Sequence, residues 1–256
     1  MTRTLTVTPL PGLPRVKPGD DLVPLIVDGL ARSGLVPRAQ DIVVIAQKIV
    51  SKSEGRIRPL ASVKVTPRAE ELAQLTGKDP RQMALVLEES DGDVLRAKRN
   101  VIVVGHRLGL VMANAGIDRS NVEQGTDGES VLLLPLDPDA SAAMLKARLD
   151  AHYGVALGLI ITDSIGRAWR LGTTGHAIGA AGVPSIIDQR GEPDMNDRAL
   201  EVTETAFADS VAAAAVLMMG EAAESTPAAL VRGLTWTAPE KPARALVRPK
   251  AEDMFR

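Results

Sequence analysis

Short apolar runs bounded by polar residues mark the strands of this chain. Near the N-terminus, threonine alternates with apolar residues, which predicts a strand with one buried face. Further runs are rich in valine and isoleucine, as in strands buried on both faces, and one pair of runs predicts a hairpin. The predicted strands are Leu5–Leu10, Ile42–Val50, Val101–Val104, Leu108–Met112, Val155–Ile161 and Ala228–Val231, with a further apolar segment at Val131–Leu134.

Helices are predicted where aspartate or proline opens a longer mixed segment. Aspartate accepts the unpaired first amides of a helix, and proline fits its first turn. The predicted helices run from Asp20 or Asp21 to Ser33, from Pro67 to about Thr76, over Pro80–Glu89, from Asp137 or Asp139 to Gly154, and over Ala199–Met219. Because strands and helices do not alternate strictly, the pattern favours an α+β fold over a doubly wound sheet, with mixed or antiparallel sheets and flanking helices.

The chain shows no internal repeat and no low-complexity linker, so we expect a single module over 1–256. Its last segment, 238–256, is rich in proline, lysine and arginine and is expected to be extended. The N-terminus lacks the apolar core of a signal peptide. The most apolar stretches, Val155–Ile161 and Val211–Met219, are far shorter than the roughly 20 residues that span a bilayer. These features, with the absence of cysteine, lead us to expect a cytoplasmic protein without a membrane partner.

Composition excludes several functional classes. The absence of cysteine rules out a disulfide scaffold, a thiolate zinc site and a cysteine nucleophile. The 30 basic residues nearly balance the 32 acidic ones, whereas a nucleic-acid-binding protein would show a basic excess. With two tryptophans, one tyrosine and two phenylalanines, the chain has few rings for stacking on bases. We therefore expect no nucleic-acid partner.

Common catalytic motifs are also missing. The chain contains no P-loop, no G-x-G-x-x-G after a strand, no H-E-x-x-H and no G-x-S-x-G. Its three histidines, His106, His152 and His176, are scattered along the sequence, a distribution more typical of structural or exposed histidines than of metal ligands.

Two apolar strands each deliver an aspartate into a polar loop that contains glycine. Asp118 lies in NAGIDRSN, and Asp163 lies in ITDSIGR, where Ser164 adds a hydroxyl group. Asn121 lies just beyond Asp118. Magnesium and manganese prefer carboxylate, hydroxyl and phosphate oxygens, so these positions are candidate ligands of a hard cation. The alternative is that both aspartates only cap turns by bonding their own backbone.

Basic residues could supply the phosphate partner of such a metal site. If Ile42–Val50 stays extended beyond Val50, Lys48 and Lys52 lie on one face of the strand and can bind phosphate as point charges. Arg167 and Arg170 add a guanidinium pair after Asp163. Metal-binding carboxylates beside basic residues suit phosphoryl transfer, although a solvated basic face remains the alternative. Glu221 follows an apolar helical run and is either a further polar ligand or a solvated helix end.

At these residues the sequence resembles a known family. The motifs SKSEGR, HRLGLVMANAGIDRSN and ITDSIGRAWRLGTTGHAIGAAG closely resemble those of the coenzyme F420:L-glutamate ligase family. The resemblance extends from PLPGLP near the start to RPKAEDMFR at the end, so it covers essentially the whole chain. Some bacterial relatives continue into a nitroreductase-like domain, which is not expected here.

The resemblance implies a GTP-dependent amide ligase that adds one or more γ-linked L-glutamates to the deazaflavin coenzyme F420 precursor. The acceptor carboxylate would be activated as an acyl phosphate, with release of GDP and phosphate. The resemblance also implies two divalent ions, Mg²⁺ or Mn²⁺, assistance by K⁺, an unusual ligase fold and an intertwined homodimer.

The resemblance assigns roles residue by residue. Asp118, Asp163 and Lys52 would be catalytic, and Asp118, Asp163, Ser164 and Glu221 would bind metal. The nucleotide contacts it implies are Leu13, Pro14, Arg15, Val16, Gln47, Lys48, Lys52, Asn121, Met219, Gly220, Glu221, Ala222, Ala223, Glu224, Ser225 and Thr226.

Several questions stay open at the level of the sequence. Another metal-dependent enzyme that forms acyl phosphates or transfers phosphoryl groups, or a nucleotide-binding protein without catalysis, would share many of these residues. The preference for GTP rests on the resemblance alone. His176 and Glu54 are weak candidates for the base that deprotonates the glutamate amine. Trp169 is the aromatic residue best placed to contact a bound ring system, because it lies in the loop after Asp163.

Overall fold

A computed structural model describes residues 4–119 and 129–254. Within these ranges the chain has six α-helices and twelve strands. The helices are α1 (Leu22–Arg32), α2 (Gln47–Ser53), α3 (Pro67–Thr76), α4 (Pro80–Glu89), α5 (Pro138–Tyr153) and α6 (Phe207–Met219). The strands are β1 (Thr6–Pro9), β2 (Ile42–Ala46), β3 (Ile57–Pro59), β4 (Ser90–Lys98), β5 (Val101–His106), β6 (Val111–Ala113), β7 (Ser130–Leu132), β8 (Gly158–Gly166), β9 (Thr173–Ala181), β10 (Ile187–Asp188), β11 (Glu204–Thr205) and β12 (Ala228–Arg232).

The main sheet has the strand order β1-β12-β2-β8-β9. Only the central pair, β2 and β8, is parallel; the other neighbours are antiparallel. Helices cover both faces of the sheet: Val43 and Ile45 pack with α1 and α5, and Ile42 and Val44 pack with α6. A central strand buried on both faces needs apolar residues at every position, which explains its continuous valine and isoleucine run.

A second core lies beside the main sheet. It contains α3, α4 and the antiparallel sheet β4-β5-β6, and residues of β7 close it. Two further two-stranded sheets, β3-β7 and β10-β11, complete the described part of the chain. The α+β prediction, with mixed and antiparallel sheets and flanking helices, is confirmed. No helix of the described residues is long and apolar enough to cross a membrane.

The starts of four helices are explained by side-chain caps and prolines in their first turns. Asp21, Thr66, Asp79 and Asp137 each accept a backbone amide in the first turn of α1, α3, α4 and α5, and the last three helices also begin with proline. Gly77 and Gly154 end α3 and α5 in the left-handed conformation that favours glycine. These helices have the predicted positions.

Other predictions were wrong in extent. The run Ile42–Val50 is a strand only to Ala46, and α2 begins at Gln47. Apolar residues at 49 and 50 continue the run but pack as one face of a helix, which periodicity cannot distinguish over so short a segment. The segment Ala199–Met219 is helical only from Phe207.

The region after Asp163 also differs from its prediction. The strand expected to end near Ile161 continues to Gly166 and turns back as β9, so the predicted polar loop is largely a hairpin. β9 was missed because alanine and glycine replace β-branched residues along it. The segment predicted as an extended tail includes two short 3₁₀ helices, Ala243–Leu246 and Lys250–Glu252.

Candidate active site

Several predicted segments converge at one edge of the main sheet. Strands β1, β2 and β8 run in the same direction, and β12 runs in the opposite direction between β1 and β2. The carboxyl ends of the first three strands therefore meet the amino end of β12. This brings together four segments that are distant in sequence: Leu13–Val16 after β1, Gln47–Lys52 after β2, Asp163 and Ser164 on β8, and Met219–Thr226 before β12.

Asp163 lies just past the last paired residues of the parallel strands. Ala46, the last residue of β2, is the register partner of Thr162, so Gln47 at the start of α2 and Asp163 on β8 each follow this last pair. The polar Gln47 side chain acts on the Asp163 carboxyl as a hydrogen-bond donor would, by lowering its pKa. Gln47 is only 2% exposed, and its Oε1 accepts a hydrogen bond from Ser51 Oγ at 2.9 Å. Sequence reasoning overlooked Ser51; its spacing of four residues from Gln47 on a helix was the available signal.

Asp163 is partly buried and has a second carboxylate, that of Asp118, nearby. Burial raises the pKa of the Asp163 carboxyl to about 6, and the negative charge of Asp118 contributes to this increase. The Ser164 backbone amide, the Lys48 ammonium and the Gln47 amide oppose the increase without cancelling it. A bound cation would stabilise the ionised form of this carboxyl group.

Asp118 reaches the site from the second core. Its backbone amide and carbonyl both bond to Leu132, and its carboxylate lies 2.6 Å from Lys48 Nζ. Three consecutive residues with left-handed φ, Asn114, Ala115 and Gly116, precede it and turn the chain sharply. A side chain at Gly116 would collide with Leu134, so close packing and backbone conformation both favour glycine there.

The two lysines share a face for a different reason from the one predicted. Lys48 and Lys52 lie four residues apart on α2, and this spacing places them on the same side of a helix. The expectation of an extended strand, which would also put Val50 on that face, was wrong. Val50 is buried in the main core.

Ser164 and Glu221 form a second polar pair. Ser164 Oγ lies 2.7 and 2.6 Å from the two carboxylate oxygens of Glu221. Adjacent residues of a strand point to opposite faces, so Ser164 extends away from the side occupied by Asp163. The four predicted metal ligands thus divide into two pairs, Asp118 with Asp163 and Ser164 with Glu221.

The predicted nucleotide segments form loops around these pairs. Leu13 packs against the main core, Val16 is buried within it, and Arg15 is exposed. The loop Met219–Thr226 is held by its own contacts: Thr226 Oγ1 donates to the Met219 carbonyl, and Glu224 accepts the Ala222 amide. Asn121 lies outside the described residues.

The residues considered as a base or as a ring contact lie outside these two polar pairs. Glu54 accepts hydrogen bonds from Ser141 Oγ and the Leu136 amide, so its carboxylate joins α2 to the start of α5. His176 is the cross-strand partner of Asp163, and its Nδ1 lies 2.9 Å from the Thr174 carbonyl. Trp169 lies at the tip of the β8–β9 hairpin and is 82% exposed.

The donor set fits a hard divalent cation. Among the described residues, no group of three or more His, Cys, Asp or Glu side chains could hold a metal ion. Magnesium, however, commonly keeps several waters and binds proteins through one or two carboxylates together with substrate phosphates. The pair Asp118 and Asp163, two mutually repelling carboxylates beside Lys48, has this character.

The fold and the site define an α+β protein with paired carboxylates and a lysine pair at one sheet edge, a class suited to binding a metal–phosphate group. A family model for F420-0:Gamma-glutamyl ligase matches residues 12–233. The chain belongs to this family.

Three relatives named coenzyme F420:L-glutamate ligase support this membership over nearly the whole length of the chain. The chain is 42% identical to the coenzyme F420:L-glutamate ligase of Methanopyrus kandleri, with 99% of this chain and 98% of the relative covered. It is also 42% identical to the enzyme of that name from Methanothermobacter thermautotrophicus, with 96% of each chain covered. The Archaeoglobus fulgidus enzyme has the same identity, with 98% of this chain and 96% of the relative covered.

Proposed function

We propose that this protein is a ligase that joins L-glutamate to the coenzyme F420 precursor, using GTP. The family membership supports the ligase reaction and its two substrates. The observation that carries the mechanism is the meeting of Asp118, Asp163 and Lys48 at one edge of the sheet, where four separate segments converge.

The proposed chemistry has two steps. A terminal carboxylate oxygen of the acceptor attacks the γ-phosphorus of GTP, which forms an acyl phosphate and releases GDP. The glutamate amine, after losing a proton, then attacks the acyl carbon; the amide bond forms and phosphate leaves. A carboxylate is a poor electrophile, and the first step makes it reactive without any protein nucleophile. This agrees with the absence of cysteine from the chain.

Within this mechanism the chain's own residues position charge. Asp118 and Asp163 would hold a divalent cation, Mg²⁺ or Mn²⁺, and Ser164 with Glu221 would hold a second one. When bound, these ions neutralise phosphate charge. Lys48 and Lys52 would bind phosphate oxygens as point charges, and Leu13–Val16 with Met219–Thr226 would enclose the nucleotide. Potassium is proposed as an assisting ion without an assigned site.

The test is direct product analysis. Incubation with the glutamate-free deazaflavin, L-glutamate, Mn²⁺, K⁺ and either GTP or ATP should yield glutamyl adducts by mass spectrometry, with one GDP released per glutamate added. The GTP reaction should be the faster one. Nucleotide hydrolysis that does not respond to the deazaflavin would point to a different phosphoryl-transfer enzyme. Nucleotide binding without turnover would point to a non-catalytic protein.

We further propose that the protein is a homodimer. Trp169 and Leu171 at the β8–β9 hairpin tip are 82% and 99% exposed, and these two large apolar side chains are the surface that the proposed partner subunit would cover. Light scattering should give twice the mass of one chain, and Leu171→Lys should lower this value. A wild-type protein that scatters as a single chain at micromolar concentration would rule out the dimer.

A further inference from the structure

Ser51 is a fully buried hydroxyl residue that has no part in the proposed chemistry. It lies on α2, one turn after Gln47, and is 0% exposed. A helical serine commonly donates to the backbone carbonyl four residues earlier. Here the hydroxyl instead donates to the side chain at that position, Gln47 Oε1, at 2.9 Å. Ser53 on the same helix does donate to a backbone carbonyl, that of Val50 three residues earlier.

This hydrogen bond selects one orientation of the Gln47 amide. A glutamine side chain has an accepting end, Oε1, and a donating end, Nε2. With Oε1 bonded to Ser51, Nε2 is the end left for the neighbouring Asp163 carboxylate, and the Gln47 side chain lowers the pKa of that carboxyl group, as a donor does. The reverse orientation would bring the amide oxygen against a carboxylate, an unfavourable contact for a side chain that is 98% shielded from water.

We infer that Ser51 is a positioning residue for Asp163 and acts through Gln47. The inference rests on the proposed role of Asp163 as a ligand of a divalent cation. The three side chains form a relay from a hydroxyl through an amide to a carboxylate, and α2 supplies the first two. By fixing one hydrogen bond on the carboxylate, the relay restricts its rotation and directs its remaining lone pairs toward the cation. Such outer partners commonly change metal affinity by about 10- to 100-fold when they are lost.

A purely structural role would give a different result. If the Ser51–Gln47 bond served only to satisfy two buried polar groups, its loss would lower stability and leave metal affinity unchanged. The informative readout is therefore the affinity for Mn²⁺, measured on the whole protein by the electron paramagnetic resonance signal of the free ion. This measurement does not require turnover.

The primary test compares two serines of one helix. Ser51→Ala is expected to weaken Mn²⁺ binding by about tenfold. Ser53→Ala, which removes the hydroxyl bonded to a backbone carbonyl, should bind Mn²⁺ like the wild type. Ser51→Thr keeps the hydroxyl and should retain most of the affinity. A Ser51→Ala protein that binds Mn²⁺ within twofold of wild type would overturn the inference.

A double-mutant cycle tests whether Ser51 acts through Gln47. Gln47→Leu should weaken Mn²⁺ binding, and Ser51→Ala added to it should cause less than about a twofold further change, because the partner it positions is gone. A full tenfold further loss would mean that Ser51 acts by another route and would overturn the relay.

Failure of the ligase proposal gives a separate result. If the wild-type protein binds Mn²⁺ but forms no glutamyl product, the reaction is wrong while the relay can still pass its tests. If the wild type binds no Mn²⁺, the metal assignment and the relay fail together.

Discussion

Asp163→Asn should lower the rate of glutamate addition by about a thousandfold or more while the protein stays folded. This loss corresponds to about 4 kcal/mol of transition-state stabilisation. The physical reason is that an amide oxygen replaces a charged carboxylate oxygen at a proposed cation ligand. The amide has nearly the same size, and it removes the repulsion between Asp163 and Asp118, so the melting temperature should not fall.

The measurements are initial rates with saturating substrates, Mn²⁺ affinity and thermal unfolding of the same preparations. Asp188→Asn is a suitable control, because Asp188 is an exposed aspartate on β10, paired with Arg190 and outside the candidate site. Its rate should match the wild type. A variant of Asp163 with wild-type turnover would show that the metal assignment is wrong.

Glu89→Gln should cause a large loss of stability, although Glu89 lies outside the candidate site. Glu89 ends α4 and its side chain is 8% exposed. Its oxygens lie 2.8 and 2.9 Å from Arg56 Nη2 and 3.1 Å from Arg107 Nε, and His106 Nε2 lies 3.6 Å away. Removing the charge leaves two arginines without their anionic partner. Breaking a buried pair in this way costs about 3–5 kcal/mol, and the lower end applies here because both arginines are partly exposed.

The arginines explain why this network matters to the fold. Arg56 also donates to the Leu134 carbonyl, and Arg107 donates to the carbonyls of Pro135 and Leu136. Glu89 therefore connects the second core to the segment that leads into α5. With about 2–4 °C per kcal/mol for a domain of this size, the melting temperature should fall by about 10 °C.

Neighbouring Glu88 provides a matched control. It pairs with Arg58 at 3.2 Å, and its side chain is 52% exposed. Exposed pairs contribute about 0–1 kcal/mol, so Glu88→Gln should change the melting temperature by only a few degrees at most. Equal effects of the two substitutions would contradict the assignment of Glu89 as the centre of a buried network.

The same network predicts a dependence on pH. Burial alone would raise the pKa of the Glu89 carboxyl, but interactions with His106, Arg56 and Arg107 outweigh it and lower the pKa from 4.5 to about 2. A carboxyl whose pKa is lower in the folded state stabilises the fold above its unfolded pKa. That contribution is lost as the pH falls from about 4.5 to about 2. The stability difference between wild type and Glu89→Gln should therefore shrink across this interval, as measured by denaturant unfolding at each pH.

Local sequence signals determined much of the architecture. N-terminal prolines positioned α3, α4 and α5, and aspartate caps helped to position the last two, because capping depends on contacts within a few residues. The same local character made the boundary at Ala46 unreadable, since residues 47–50 satisfy either a strand or a helix and the packing of Ile49 and Val50 against α1 decides between them.

The candidate site also combines features that the sequence determines with contacts that only the tertiary structure decides. The sequence by itself determined the residue types: acidic residues at strand ends, lysines after β2, and motifs that resemble one ligase family. Only the tertiary structure decided which of them meet. The parallel pairing of β2 with β8 brings Gln47 to Asp163, and the packing of the second core brings Asp118 to Lys48. The Ser51 relay likewise depends on the helix that replaces the predicted strand. Contacts of this kind join residues that are 70 positions apart for Lys48 and Asp118 and 116 apart for Gln47 and Asp163. The free energy that selects them comes from burial of both cores, which no short stretch of sequence encodes.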